Sequence, residues 1–231
     1  MQTHDIEQGL PETVSLLDKL RMAIYRGEFT PGQRLVESEL SQKYETSRGA
    51  VREALALLQN EGLVIRQRNR SAWVRPVTLS EAIEITEVRA VVEGLCAAKA
   101  AARATKADHR ELRRMAEEMT EAVKRGDVLT DSRISDEIHA KIRAIAGQVT
   151  AAKLLDRLRY QDVRYQFHVS LLPGRLVQGH REHMDIIDAV IAGDPVAAEQ
   201  ITRDHFASVV DAMRRLEDAN LLPVMAAAFG R

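Results

Sequence analysis

The sequence predicts a mainly α protein: an N-terminal winged helix-turn-helix followed by an all-α antiparallel six-helix bundle. Three observations predict it. Apolar residues recur at helical spacing through most of the 231 residues. Two short β-compatible runs, 63–67 and 72–74, flank the polar tip Arg68-Asn69-Arg70-Ser71 and read as a hairpin. From Thr78 onward only helical stretches occur, punctuated by capping residues and glycines.

Residues 1–10 are polar and read as disordered. Leu17, Leu20 and Ile24 mark a first helix that ends by Gly27, and Pro31-Gly32 makes a turn. A short helix over 37–44 turns Leu40 and Tyr44 inward; a third, over 48–60, is closed by Gly62. With the two strands these helices form a DNA-reading unit over 11–76. Pro76 then breaks the chain, 75–78 reads as a hinge, and Thr78-Leu79-Ser80-Glu81 carries a capping-box signal. Breaks near Thr105, Gly126-Asp127, Gly147, Pro173-Gly174 and Gly193-Asp194-Pro195 divide the second unit, 77–219. Its expected helices are 79–104, 106–125, 129–146, 150–172, 175–192 and 195–219. Asp194 at N-cap and Pro195 at the first helical position are a strong start signal for the last of them. The apolar, alanine-rich tail 220–231 has no assigned role.

Formal net charge is −1, but the distribution is uneven: Arg66, Arg68, Arg70 and Arg75 cluster with no acid among them. A single cysteine, Cys96, excludes an intramolecular disulfide and a thiolate zinc site; set among alanines, it reads as packing. No apolar run approaches a membrane span and no secretory leader opens the chain, so the expected location is the cytoplasm.

The run Thr46-Ser47-Arg48-Gly49-Ala50-Val51-Arg52 carries the most chemistry. Ser47 caps the helix, and Arg48 and Arg52 project from one side of its first two turns, while Val51, Leu55 and Leu58 face elsewhere. Guanidinium forks at the N-terminal end of a short helix suit the major groove of DNA. Trp73, in the second wing strand, reads as packing rather than base stacking.

The segments Pro31-Gly32-Gln33-Arg34-Leu35-Val36-Glu37-Ser38-Glu39-Leu40, Ser47-Arg48-Gly49-Ala50-Val51-Arg52-Glu53-Ala54-Leu55 and Glu61-Gly62-Leu63-Val64 resemble the GntR family of bacterial transcription regulators. The second unit resembles the effector domain of the FadR-type (FCD) subfamily through Val88-Arg89 with Glu93, Ile138-His139, Glu182-His183 with Ile187, Gly193-Asp194 and Asp204-His205. The resemblance spans about residues 12–218. It implies a homodimer that binds short palindromic operators, usually as a repressor released by a small metabolite, and not an enzyme. It also implies DNA contacts at Arg48 and Arg52, supported by Ser47, Gly49 and Ser38, and a wing tip in the minor groove. Two positions depart from the pattern. Ser38 stands where some members place a contacting arginine, and Ser71 stands for the common wing glycine, which leaves Arg68, Asn69 and Arg70 as wing contacts.

Three histidines, His139, His183 and His205, fall on inward stripes of three different helices, a natural divalent-metal arrangement. The resembling subfamily adds an aspartate four residues before the first histidine; here that position is Ser135, and Asp136 is the neighbouring carboxylate that substitutes if the helix rotates. The other readings are three histidines completed by water and effector, or no metal; zinc, nickel and manganese are not separable. An open metal position and inward Arg89, whose competing role is an intrahelical bridge to Glu93, favour a small organic acid as effector, with Ser135 in the same site. His168 and His180 either line that cavity or face solvent. Two other functions stand against this one: a ligand-independent dimeric regulator, and a metal-dependent hydrolase built on the three histidines.

Overall fold

In the computed structural model the described residues are 12–25, 27–66, 72–158 and 163–218. The chain divides between Val77 and Thr78 into two compact units. The expected disordered start at 1–10, the wing tip 68–71 and the tail 220–231 lie outside the described residues.

The first unit contains α1 (Glu12–Tyr25), β1 (Arg34–Leu35), α2 (Glu37–Lys43), α3 (Arg48–Asn60), β2 (Val64–Arg66) and β3 (Ala72–Val74). Its core gathers Leu20, Leu40, Val51, Leu55, Leu58, Val64 and Val74, the apolar stripes expected from periodicity. Arg21 of α1 clamps Glu61 at the end of α3 with two hydrogen bonds, Nε to Oε2 at 3.1 Å and Nη2 to Oε1 at 2.7 Å. The sheet corrects the expected two-stranded hairpin: among the described residues three strands pair in the order β1-β3-β2, all antiparallel. Arg34 pairs with Trp73 and Leu35 with Ala72, so the stretch after the Pro31-Gly32 turn closes the sheet edge. Two residues are too few for a period-2 signal, and their strand character comes from the partner. Between α2 and α3, Glu45 sits at φ 50°, a left-handed conformation that lets the chain turn sharply into the next helix.

The second unit is helical throughout: α4 (Leu79–Ala101), α5 (Lys106–Lys124), α6 (Val128–Ala146), α7 (Val149–Leu158), α8 (Val163–Ser170), α9 (Arg175–Ala192) and α10 (Pro195–Asp218). Among the described residues there are thus seven helical segments where six helices were expected. The stretch 150–172 is described as α7 and α8, and the four residues between them lie outside the described set. Local chemistry sets the ends. Thr78 accepts from Glu81 N at 3.2 Å, and Asp194 accepts from the N–H groups of Val196 and Ala197 at 3.1 and 3.0 Å. Leu112, Met119, Ile134, Ile138, Ile142, Ile186 and Val190 interlock in one core. The most extensive helix pairing is α4 with α10. There Gly94 permits the approach, since a Cβ would stand 3.1 Å from the Arg203 side chain. Cys96 is buried with Ala146, Ala151 and Leu155, as a packing residue should be. No helix among the described residues is long and apolar enough to cross a membrane.

Candidate functional site

In the first unit the expected DNA contacts that fall within the described residues lie at the surface of α2 and the start of α3. Ser47 is the N-cap of α3, its Oγ accepting from Ala50 N at 3.1 Å. Ser38, Ser47, Arg48, Gly49 and Arg52 are all exposed. A Cβ at Gly49 would meet only Ser47 Oγ, at 3.7 Å, so the first turn of α3 is open on that side. Arg52 is already oriented: its Nη2 and Nε donate to Glu37 Oε2 and Oε1 of α2 at 2.9 and 3.3 Å. That pairing holds the Glu37 carboxyl below its usual range, against the pull of burial. Arg66 of β2 donates to the Arg52 carbonyl at 3.2 Å, which ties β2 to α3. Glu37 as the orienting partner was not foreseen. The wing contacts Arg68, Asn69 and Arg70 lie outside the described residues.

In the second unit α6, α9 and α10 bring His139, His183 and His205 together, all buried, with one ligand atom of each within 4.8 Å of the others. Two of the imidazoles are turned by an acceptor on Nδ1: for His183 the Gly179 carbonyl at 2.7 Å, and for His205 the Glu182 carboxylate at 2.8 Å. His139 Nδ1 faces Glu93 Oε2 at 4.0 Å, beyond hydrogen-bond distance. A carbonyl only accepts, so His183 Nδ1 carries the proton and its Nε2 is the lone-pair nitrogen. That Nε2 accepts from the Ser135 hydroxyl at 2.8 Å. Burial pushes His139 well below its ordinary value, pushes His183 down to about 3 and lowers His205; the neighbouring imidazoles reinforce the shift for the first two. All three are therefore neutral near pH 7, the form that ligates a metal.

Two ion pairs brace the cluster, one part-buried and one buried. Arg175 at the start of α9 grips Glu182 with both terminal nitrogens at 2.9 Å, and Ser208 donates to Glu182 at 2.6 Å. Burial alone raises the Glu182 carboxyl, but the hydrogen bonds from His205, Arg175 and Ser208 outweigh it and hold the pKa well below the usual carboxylate range. On the other side Arg143 donates to Glu93 at 2.8 Å. Arg89 is buried, with its guanidinium carbon 5.1 Å from the centroid of the Phe206 ring, which itself packs on His139 and His205.

Asp136 does not belong to the group of ligand atoms. Ile134, Ile138 and Ile142 are fully or almost fully buried and fix the rotation of α6, so the residue one turn before His139 that meets the cluster is Ser135. His180 turns toward α5, with Nε2 2.9 Å from Thr120 Oγ1, and His168 is buried on α8 outside the cluster. Sequence reasoning missed Asp131, a buried acid one turn before Ser135.

Comparison with known proteins gives two family matches. Residues 13–74 match the model described as bacterial regulatory proteins, gntR family, and residues 84–208 match the FCD domain. The chain is 25% identical over 203 residues to the HTH-type transcriptional repressor RspR of Escherichia coli strain K12, covering 87% of this chain and 88% of that protein. It is 26% identical over 235 residues to the putative L-lactate dehydrogenase operon regulatory protein of the same strain, covering 90% of each. Among solved structures, E. coli McbR/YncC superposes with a TM-score of 0.79 at 18% identity, over 90% of this chain and 100% of that one, a likeness of fold. A putative GntR transcriptional regulator from Rhodococcus sp. RHA1 gives 0.66 at 25% identity, over 87% and 96%.

One consequence of the site's electrostatics is open to measurement. Burial pushes the Asp131 carboxyl up to about 6, with the Arg175 charge acting against the shift and Asp127 with it. An aspartate in the unfolded chain titrates near about 3.9. The folded state therefore holds this proton more tightly, and stability is lost as pH rises from about 4 to about 6. Asp131→Asn is expected to melt higher than wild type at about pH 7.5, with the gain gone by about pH 4. Thermal denaturation at the two pH values checks this, and a variant less stable than wild type at the higher pH would contradict it.

Proposed function

The chain belongs to the GntR family of bacterial transcription regulators, with an FCD second domain, and on that premise we propose a repressor whose operator affinity is set by a small organic acid. It is a DNA-binding transcriptional regulator and not an enzyme. The observation that carries the effector reading is the buried set of three neutral imidazoles with Arg89 beside it. The repressor reading is supported by the relative RspR, which is named as one.

On the DNA side, Arg48 and Arg52 are the base-reading groups, and Ser47, Gly49 and Ser38 shape the surface that approaches the phosphates. Glu37 holds Arg52 extended from α3 in the free protein. A bidentate arginine–guanine contact contributes about 1–3 kcal/mol of base discrimination. Arg52→Ala is therefore expected to weaken specific operator binding by about 5–150-fold while leaving the protein folded. A gel-shift titration at fixed salt measures this; unchanged affinity would remove Arg52 from the interface.

In the second unit the lone-pair nitrogens of His139, His183 and His205 fit a divalent ion such as zinc, nickel or manganese, and such an ion supplies a positive centre for a carboxylate. With Ser135 in place of an acid, the donor set is uncharged, so the effector's carboxylate is the natural anionic ligand. Arg89 offers the second positive group. We expect about one metal ion per chain in protein purified without a histidine tag, and its loss in His205→Ala. Metal analysis decides, and metal-free native protein would reject the ion. A second, ion-free reading is favoured by the Ser135 hydroxyl, which already satisfies His183 Nε2; there the imidazoles and Arg89 receive the acid directly, or the bundle acts without ligand.

Dimerisation is supported by an apolar stripe on α4, where Val88, Val91 and Leu95 are 48%, 50% and 40% exposed at helical spacing. A second copy covering it would join two DNA-reading units in one molecule, as the two halves of a palindrome require. Val91→Glu is expected to shift the protein toward monomer and weaken operator binding, which sedimentation velocity and gel shift measure together. A variant that stays dimeric places the interface elsewhere.

A further inference from the structure

Asp131 is 8% exposed, and among the described residues its Oδ1 is buried without a hydrogen-bond partner. A first-turn acid gains from the helix N-terminus at the surface, where it keeps its water, so the dipole gives no reason for this burial. The nearby cation whose charge it feels, Arg175, has spent its fork on Glu182 and Ser208. One turn further along α6, Ser135 meets His183 of the imidazole cluster. A carboxylate held dry beside a binding centre and left unsatisfied is poised to receive a donor from a ligand.

We propose that Asp131 is the second pole of the effector site, accepting a hydrogen bond from a hydroxyl or ammonium group on the far end of the acid. This rests on the carboxylate-effector reading above. Ser135 and His139 lie one and two turns from Asp131, roughly 6 and 12 Å along the helix axis. A carboxylate seated among the imidazoles and Arg89 thus places Asp131 within reach of a donor on a chain of about four to six carbons. The effector class narrows from any small organic acid to ω-hydroxy, polyhydroxy or ω-amino acids, and a plain fatty acid or a diacid is disfavoured: the first has no donor, and the second sets a carboxylate against Asp131.

Binding of hexanoate, adipate, 6-hydroxyhexanoate, 6-aminohexanoate and gluconate to the full-length protein, by calorimetry with thermal shift alongside, tests this. At least one donor-bearing acid is expected to bind about tenfold or more tightly than hexanoate and adipate. In Asp131→Ala, which removes both acceptor oxygens, that preference is expected to collapse through weaker binding of the donor-bearing acids, and Asp131→Leu, close in size and likewise without an acceptor, is expected to behave alike. Equal binding of hexanoate and the donor-bearing acids overturns the role of Asp131 and leaves the carboxylate reading standing, as does a preference that survives both substitutions. Failure of every acid to bind wild type overturns the carboxylate reading and this proposal with it.

Discussion

Glu182 is an ionised, half-buried carboxylate of the helical unit, and the geometry of the imidazole cluster follows from how its charge is met. Taking such a group partly out of water carries a desolvation cost, which a well-aligned cation and further hydrogen bonds offset. Arg175 supplies the cation from the start of α9, and Ser208 supplies a hydroxyl from α10. Gln178 Nε2 donates to Oε1 as well, and His205 Nδ1 donates to Oε2, which fixes the tautomer and turns the other nitrogen to the shared centre. Together with the Gly179 carbonyl behind His183, this brings α9 and α10 to the cluster with their rings already set. The Glu93–Arg143 pair between α4 and α6 performs the same bracing on the other flank.

Half-buried Glu182 and buried Asp131 are thus treated in opposite ways. Glu182 is over-satisfied and its proton is lost easily; Asp131 is under-satisfied and its proton is held. The first is what architecture requires, because it orders its neighbours. The second weakens the empty protein, and such a residue is most readily understood as one whose partner arrives from outside. The first unit makes a comparable arrangement at its surface. There Glu37 extends Arg52 from α3 and keeps a flexible side chain in one place before any DNA is met.

What could be read from the chain was whatever is written locally. Ser47, Asp194 and Pro195 mark helix starts because the chemistry of a cap lies within three residues. The three histidines were visible because 3.6-residue periodicity puts them on inward stripes. The rest depended on partners distant in sequence. β1 is a strand only because Trp73 and Ala72 lie beside it. The acceptor behind His205, Glu182, is set by how α9 and α10 pack, and no spacing rule shows which ring it reaches. Asp136 was an expectation that required α6 to rotate, and the buried isoleucines hold it still. Asp131 escaped notice because an acid in the first turn of a helix resembles an ordinary surface residue.

The lone thiol has a practical bearing on how such a molecule is studied. Cys96 is fully buried, and burial pushes it up to about 11, so almost no thiolate exists near neutral pH and no reagent reaches it in the folded state. The native sequence is consequently silent toward maleimide chemistry without any cysteine having to be removed. A cysteine introduced on the exposed face of α3 would carry a fluorophore at that position alone, turning that helix into an optical reporter in an otherwise unaltered protein.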